Sequence, residues 1–292
     1  MADYTVKIRN QNDEIIQVYP SDDFILAGIT GLTPADAIIN ATEMATIDGS
    51  RFNSSHVNAR NIVIELKPCG EGTKVRKSRV NLYRYVKTKQ KIRLYISNDQ
   101  RDVYIDGYVE RLDDAGSIFS EDQRLQISVI CPDPFFRDYS SDEEEIVFSS
   151  TEALFHFPFY IEEDYPIPFS VRLNSQYKTI YNAGDTACGM ILKVAAYGAV
   201  SNPKFFDEAN NDTMTFNLNL QTGDELIVTT IRGQKSAILR RNGVETNVIN
   251  TMTHDSSWLV LEPGDNIFYY AADSGFDNLT LTFIFTNLYE GI

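Results

Sequence analysis

The sequence predicts a mainly β protein in two parts. The first, residues 1–135, is α+β: a barrel-like sheet closed or covered by one helix. The second, residues 136–292, is a two-sheet β-sandwich. Three observations carry this. Short runs alternate apolar and polar residues with period 2 along most of the chain. One stretch alone shows helical spacing. The acidic charge lies almost wholly in the second part. The length of 292 residues suits two domains, and 16 Tyr and 17 Phe with frequent Val, Ile and Thr favour strands.

In the first part, Ile62, Ile64 and Leu66 share one face of an extended run. Ile92, Leu94 and Ile96 repeat the pattern, as do Val103, Ile105 and Val109, and then Leu125, Ile127, Val129 and Cys131. Such alternation marks half-buried strands. Between the first two runs, Val75, Arg79, Leu82, Tyr83 and Val86 fall at helical spacing, which predicts one amphipathic helix. Cys131-Pro132-Asp133-Pro134 ends the last strand, because proline has no N–H for the ladder. The acidic run Ser140–Glu145 then reads as a solvated linker or exposed edge.

The second part is read as strands separated by turns. Asn242-Gly243 between two alternating runs signals a hairpin, since both turn positions need positive φ. Asn182-Ala183-Gly184-Asp185, Thr222-Gly223-Asp224 and Pro263-Gly264-Asp265-Asn266 mark further turns. The run from Leu279 to Phe285 puts Leu279, Leu281, Phe283 and Phe285 on one face. Several short strands between such turns indicate a sandwich or jelly roll.

The formal net charge is −15. Up to Pro134 there are 17 Lys+Arg and 19 Asp+Glu; beyond it the remainder is 9 and 22. Overall acidity disfavours binding of the whole chain to nucleic acid or anionic lipid. The three cysteines, Cys69, Cys131 and Cys188, are scattered without metal or disulfide spacing, which fits a reduced compartment. The first residues show no signal-peptide pattern, and no apolar run approaches the roughly 18 residues that a membrane span needs, so no membrane anchor is expected.

Catalytic chemistry finds little support. None of His56, His156 and His254 sits in a recognisable nucleophile, metalloprotease or Cys-His setting. Gly70-Glu71-Gly72 lacks the rest of a dinucleotide pattern, and no phosphate loop is present. No enzyme activity, cofactor or metal is expected. Trp258, near Asp255 and Glu262, could stack on a sugar, but Ser-Ser-Trp-Leu-Val-Leu reads first as a half-buried strand.

The sharpest electrostatic feature is Lys74 to Arg93. It holds Lys74, Arg76, Lys77, Arg79, Arg84, Lys87, Lys89, Lys91 and Arg93 without one acidic residue, beside Tyr83, Tyr85 and Tyr95. It fits a track for single-stranded nucleic acid, a solvated helix face, or a patch that meets the acidic surface of another subunit or partner. The surplus of acidic surface in the second part favours the last. Arg76, Lys77, Arg84, Lys87, Lys89, Lys91 and Arg93 are the candidate interface residues.

Several blocks, taken in order, resemble the siphophage distal tail protein family. They are Gly49-Ser50-Arg51-Phe52 with Arg60-Asn61-Ile62; Arg101 to Glu110; and Gln126 to Phe136. Phe157-Pro158-Phe159, the turn blocks at 182–185, 222–226 and 261–266, and the ending Tyr289-Glu290-Gly291-Ile292 follow. The resemblance implies a belt domain that assembles into a hexameric ring and an outer galectin-like β-sandwich. The ring would join the tail tube protein to the tail-associated lysin, fibre or receptor-binding proteins. DNA would pass through its channel without specific binding. The expected location is the tail tip of the virion, after assembly in the host bacterial cytoplasm. The alternative is a carbohydrate-binding module that recognises host glycans.

Overall fold

The computed structural model describes residues 4–45, 48–70, 72–114, 124–139, 144–147, 149–153, 170–174 and 177–292. The chain forms two compact units: Met1–Asp142 together with Leu288–Ile292, and Glu143–Asn287. The mainly β class read from the sequence holds. The acidic run lies partly outside the described residues, as do Glu71, His156 and Phe157-Pro158-Phe159.

The first unit contains β1 (Thr5–Arg9), β2 (Ile15–Tyr19), β3 (Phe24–Thr30), β4 (Ala37–Glu43), β5 (Ser50–Val57) and β6 (Arg60–Pro68). Helix α1 (Thr73–Tyr85) follows, then β7 (Lys91–Ser97), β8 (Asp102–Asp114), β9 (Leu125–Cys131) and β10 (Phe136–Asp138). The main sheet runs β2-β1-β7-β8-β9-β6-β3. Its register sets Ile62 opposite Val129, Ile64 opposite Ile127 and Leu66 opposite Leu125, so the alternating apolar residues face a common core. Each fully buried side chain of this size stabilises the fold by about 1.5–3 kcal/mol. Among the described residues, strands β4 and β5 pair only with each other, as a separate hairpin.

Helix α1 covers the core with Leu82, while Val86 just beyond it is also buried. Val75 and Arg79 are half-buried, but Tyr83 lies off this stripe and is exposed. Ser78, a residue that apolar periodicity ignores, is buried and donates to Asp23 Oδ1 at 2.9 Å.

The second unit contains β11 (Glu144–Val147), β12 (Ser149–Ala153), β13 (Ser170–Asn174), β14 (Tyr177–Asn182), β15 (Met190–Ala196), β16 (Val200–Asp207) and β17 (Asp212–Thr215). It continues with β18 (Asn219–Leu220), β19 (Glu225–Thr229), β20 (Ser236–Arg241), β21 (Val244–Asn247), β22 (Gly264–Ser274) and β23 (Leu279–Phe285). One sheet has the order β11-β23-β15-β19-β20-β21; the other is β14-β22-β16-β17, with β18 on β16. Leu192, Val194, Leu226, Val228, Leu281 and Phe283 form the buried face of the first. Ile180, Phe205, Phe268 and Tyr270 are buried on the second, and the rings of Phe268 and Phe283 meet at 5.2 Å across the layers. This is the sandwich that the strand and turn pattern predicts.

The turn blocks act as backbone clamps. Asn242 (φ 50°) and Gly243 (φ 76°) make the β20–β21 turn, as the Asn-Gly pair requires. Buried Asn182 donates to Leu261 O at 2.9 Å and accepts from Gly184 N at 2.8 Å. Asn266, also buried, donates to Glu262 O and accepts from Glu262 N. Asp224 accepts from Gln221 N at 2.7 Å and from Arg241 Nε at 2.9 Å. Its hydrogen bond to Arg241 holds its carboxyl below the usual carboxylate range.

The last strand, β24 (Leu288–Tyr289), belongs to the first unit and pairs with β10, setting Phe136 opposite Tyr289. The chain therefore passes from one unit to the other twice. The sequence division at 135/136 carries no sign of this return.

Candidate functional site

The basic stretch occupies helix α1, the turn that follows it and strand β7. Arg76, Lys77 and Arg84 project from exposed positions of α1, while Lys87 and Lys89 lie in the turn. The turn is fixed by Lys89 N to Val109 O at 2.8 Å and Gln90 N to Lys87 O at 3.1 Å. Lys89 has φ 66°, a left-handed conformation that costs a residue with a Cβ and holds the turn tight. Arg76, Val80, Tyr83 and Arg84 follow an i, i+4, i+7, i+8 series and so share a face of α1. Val80 and Tyr83 are exposed on it, by 51% and 39%. This is a basic face with apolar and aromatic content.

The helix breaks a local rule to carry this charge. Its N-cap is Gly72, with no side-chain cap bond and no acidic residue in the first turn. Lys74 and Arg76 stand there instead, at the positive end of the helix dipole. Lys74 compensates in part by donating to Asp22 O at 3.0 Å. Arg76 opposes the dipole, whereas Arg84 in the last turn suits it.

Arg93 does not join the free face. It forms a fork on Asp106, with Nε–Oδ1 2.6 Å and Nη2–Oδ2 2.9 Å, and its guanidinium lies 4.1 Å from the Tyr104 ring centroid. Burial pushes the Asp106 carboxyl up, but Arg93, with Lys91 behind it, outweighs this and holds it below its ordinary value. Lys91 is 4.0 Å from Asp106. The seven candidates thus divide: Arg76, Lys77, Arg84, Lys87 and Lys89 on the helix and its turn, and Lys91 and Arg93 around a carboxylate on the sheet.

A second constellation was not apparent from residue patterns. Arg60, only 3% exposed, opens β6 and donates to four backbone carbonyls. Nε reaches Pro134 O at 2.7 Å and Nη1 reaches Gly31 O at 2.6 Å; Thr33 O and Glu290 O complete the set. Its guanidinium lies 4.5 Å from the Phe136 ring centroid. Arg101 repeats the device: Nη1 donates to Gly291 O at 2.8 Å and its guanidinium lies 4.2 Å from the Tyr289 ring. Ile292 N donates to Leu32 O at 3.1 Å. Gly31 (φ 83°) is required, since a Cβ there would stand 2.2 Å from Asn61 O. Four blocks that carried the sequence resemblance, at 60–62, 101–110, 126–136 and 289–292, therefore converge on one clamp. Beside it, Cys131 is fully buried and its thiol is pushed up to about 12 by desolvation.

No metal cluster occurs among the described residues. Trp258 is half-buried but lies outside any strand ladder, with Lys235 Nζ 5.4 Å from its ring centroid. The Lys235 ammonium thus stands over one face of the indole.

Comparison with known proteins follows the same lines. Residues 183–289 match the family described as the siphovirus-type tail component, C-terminal domain. The structure is similar to that of the Dit protein (gp 19.1) of phage SPP1, described as a paradigm of the hub adsorption apparatus in phages infecting Gram-positive bacteria. The TM-score is 0.66 at 12% identity, with 98% of each chain covered. It is also similar to chains of the phage P2 baseplate in its activated conformation with Ca, at TM-score 0.46, and with Sr, at 0.47, each at 12% identity and 97% coverage of both chains. A search of curated proteins finds no match. The family match thus lies almost wholly within the second unit, and the fold of the whole chain agrees with that of the SPP1 protein.

Proposed function

We propose that this chain is the distal hub of a siphovirus-type tail: six copies close into a ring that joins the tail tube to the tail-tip proteins. The observation that carries the reading is the tail-component match over residues 183–289, in a chain whose fold agrees with that of a hub protein along 98% of its length. A ring requires two different surfaces on each copy, related by a rotation that closes. The basic face of α1 is one candidate surface; the second unit supplies acidic surface, with 8 Lys+Arg against 19 Asp+Glu between Glu143 and Asn287. Tube protein, lysin, fibre or receptor-binding proteins would dock on the ring, and DNA would pass through without specific contact. A strongly basic lumen would hold DNA by counterion release and oppose ejection. The α1 cations therefore serve protein contacts and do not dominate the channel wall. Assembly would take place in the host cytoplasm, with the finished ring at the tail tip.

Light scattering with negative-stain imaging tests this. Six-fold rings with a central hole are expected. A chain that stays monomeric to its solubility limit overturns the ring. Charge reversal of Lys87, Lys89 and Lys91 together is expected to weaken ring or tail assembly; unchanged assembly removes the basic face from the interface.

A further inference from the structure

Helix α1 carries a second stripe, on the side away from the sheet. Ser78 and Leu82 are its buried residues. Thr73, Lys77, Val80 and Arg84 stand opposite them, at i, i+4, i+7 and i+11, and all four are exposed. That spacing is the one by which a helix presents a single seam to another helix. Val80, 51% exposed, sits in the seam between the two cations, while Arg76 and Tyr83 lie on its flank.

The seam is unbalanced in charge where other parts of the chain are balanced. Arg93 pairs with Asp106 at 2.6 Å, Arg137 with Asp133 at 2.9 Å and Arg240 with Glu225 at 2.7 Å. Among the described residues, no carboxylate forms an ion pair with Lys77 or Arg84. The helix holds no acidic residue, so nothing on α1 itself can pair them one turn away.

We infer that this seam receives an acidic amphipathic helix of another tail protein, a conclusion that deepens the hub reading above and rests on it for the kind of partner. Lys77 and Arg84 are two turns apart, roughly 10 Å along the axis. Carboxylates seven residues apart on an incoming helix would meet both, with an apolar residue between them over Val80. A second copy of this chain does not fit. Helix α1 is the only α-helix among the described residues, and two such helices would set Lys77 and Arg84 against the same cations. A nucleic-acid strand fits less well, because aliphatic Val80 at the middle of the seam offers no ring on which a base could stack. An apolar centre between charged margins is how protein contacts are built.

The probe is a fluorescein-labelled, alanine-based helical peptide with two glutamates seven residues apart and a leucine between them. Anisotropy is read at low salt on the full chain. Binding is expected, weakened by about tenfold or more in the double variant Lys77→Glu, Arg84→Glu. Val80→Asn should weaken it as well, and Arg232→Glu in the second unit should leave it unchanged. A peptide with lysines in place of the glutamates is expected to bind the double variant and not the unaltered chain. Circular dichroism checks each fold; should the double variant misfold, Lys77→Gln with Arg84→Gln takes its place for the loss of binding. An unaltered chain that ignores the glutamate peptide overturns the seam. So does equal binding of a peptide of the same composition with its glutamates moved off the leucine face, or failure of the lysine peptide to bind a folded double variant. An oligothymidine strand that binds more tightly than the peptide, and is lost in the same variant, also overturns it. Negative-stain images of the same samples separate the two readings. Rings without peptide binding sink the seam alone; peptide binding without rings keeps the seam and removes the ring.

Discussion

At the scale of single residues, the structure relies on charged side chains that satisfy backbone. Arg60 is buried and holds four carbonyls. Its removal leaves those carbonyls without this donor in a dry site, where a group left unsatisfied costs about 1–3 kcal/mol. Arg60→Ala is therefore expected to lower the unfolding free energy of the first unit, read from urea titration, by at least that amount, and Arg60→Lys to recover only part, because an ammonium cannot reproduce the fork. Asp224 gives a pH-dependent counterpart in the second unit. Its folded pKa is depressed, so it contributes stability above the ordinary carboxylate range that is lost as pH falls through the folded value. Asp224→Asn should cost about 1–3 kcal/mol at neutral pH. The gap between variant and unaltered chain should close in melts taken progressively below pH ~4, where the carboxyl protonates.

Helix α1 shows what the scale of elements adds. Its place was legible from the spacing of Val75, Arg79, Leu82 and Val86, because packing selects that stripe. Which cations stay available was not, since Arg93 and Asp106 are 13 residues apart and meet only through strand pairing. The clamp at Arg60 was hidden for the same reason: its partners Gly31, Pro134 and Glu290 are joined by no local pattern. The hairpin gave no signal because an uncovered apolar face alternates much as a covered one does. Turns were the most readable feature, since Asn242-Gly243 and the Asx clamps depend on residues within a few positions of each other. The unfavourable charge of α1 makes its role separable from plain stability. Arg76→Glu should raise monomer stability by about 0.3–1 kcal/mol, by suiting the dipole, while weakening assembly. Thermal melts and light scattering on one preparation read the two effects. A loss of both together would mark Arg76 as a structural residue only.

At the scale of the whole molecule, the return of Leu288–Ile292 to the first unit ties the chain's two ends of sequence into one fold. Deleting these residues removes the β10–β24 pairing and the acceptors of Arg60 and Arg101 at Glu290 and Gly291. Calorimetry of this truncation is expected to lower the first unit's transition while leaving that of the sandwich near its original position; equal loss in both would mean that the return holds the units jointly. The clamp also sets a clock. Residues emerge from the ribosome in order, and the sandwich has all its strands before Leu288 appears. The earlier-made unit must wait, with one of Arg60's four acceptors and the partner strand of β10 still missing, until some 150 further residues have been translated, which at typical rates is on the order of ten seconds. A contact of such long sequence separation is also late to form for entropic reasons. Open sheet edges on a nascent, half-finished unit would invite premature pairing between chains on one messenger. Closing that unit last would keep self-association from outrunning synthesis.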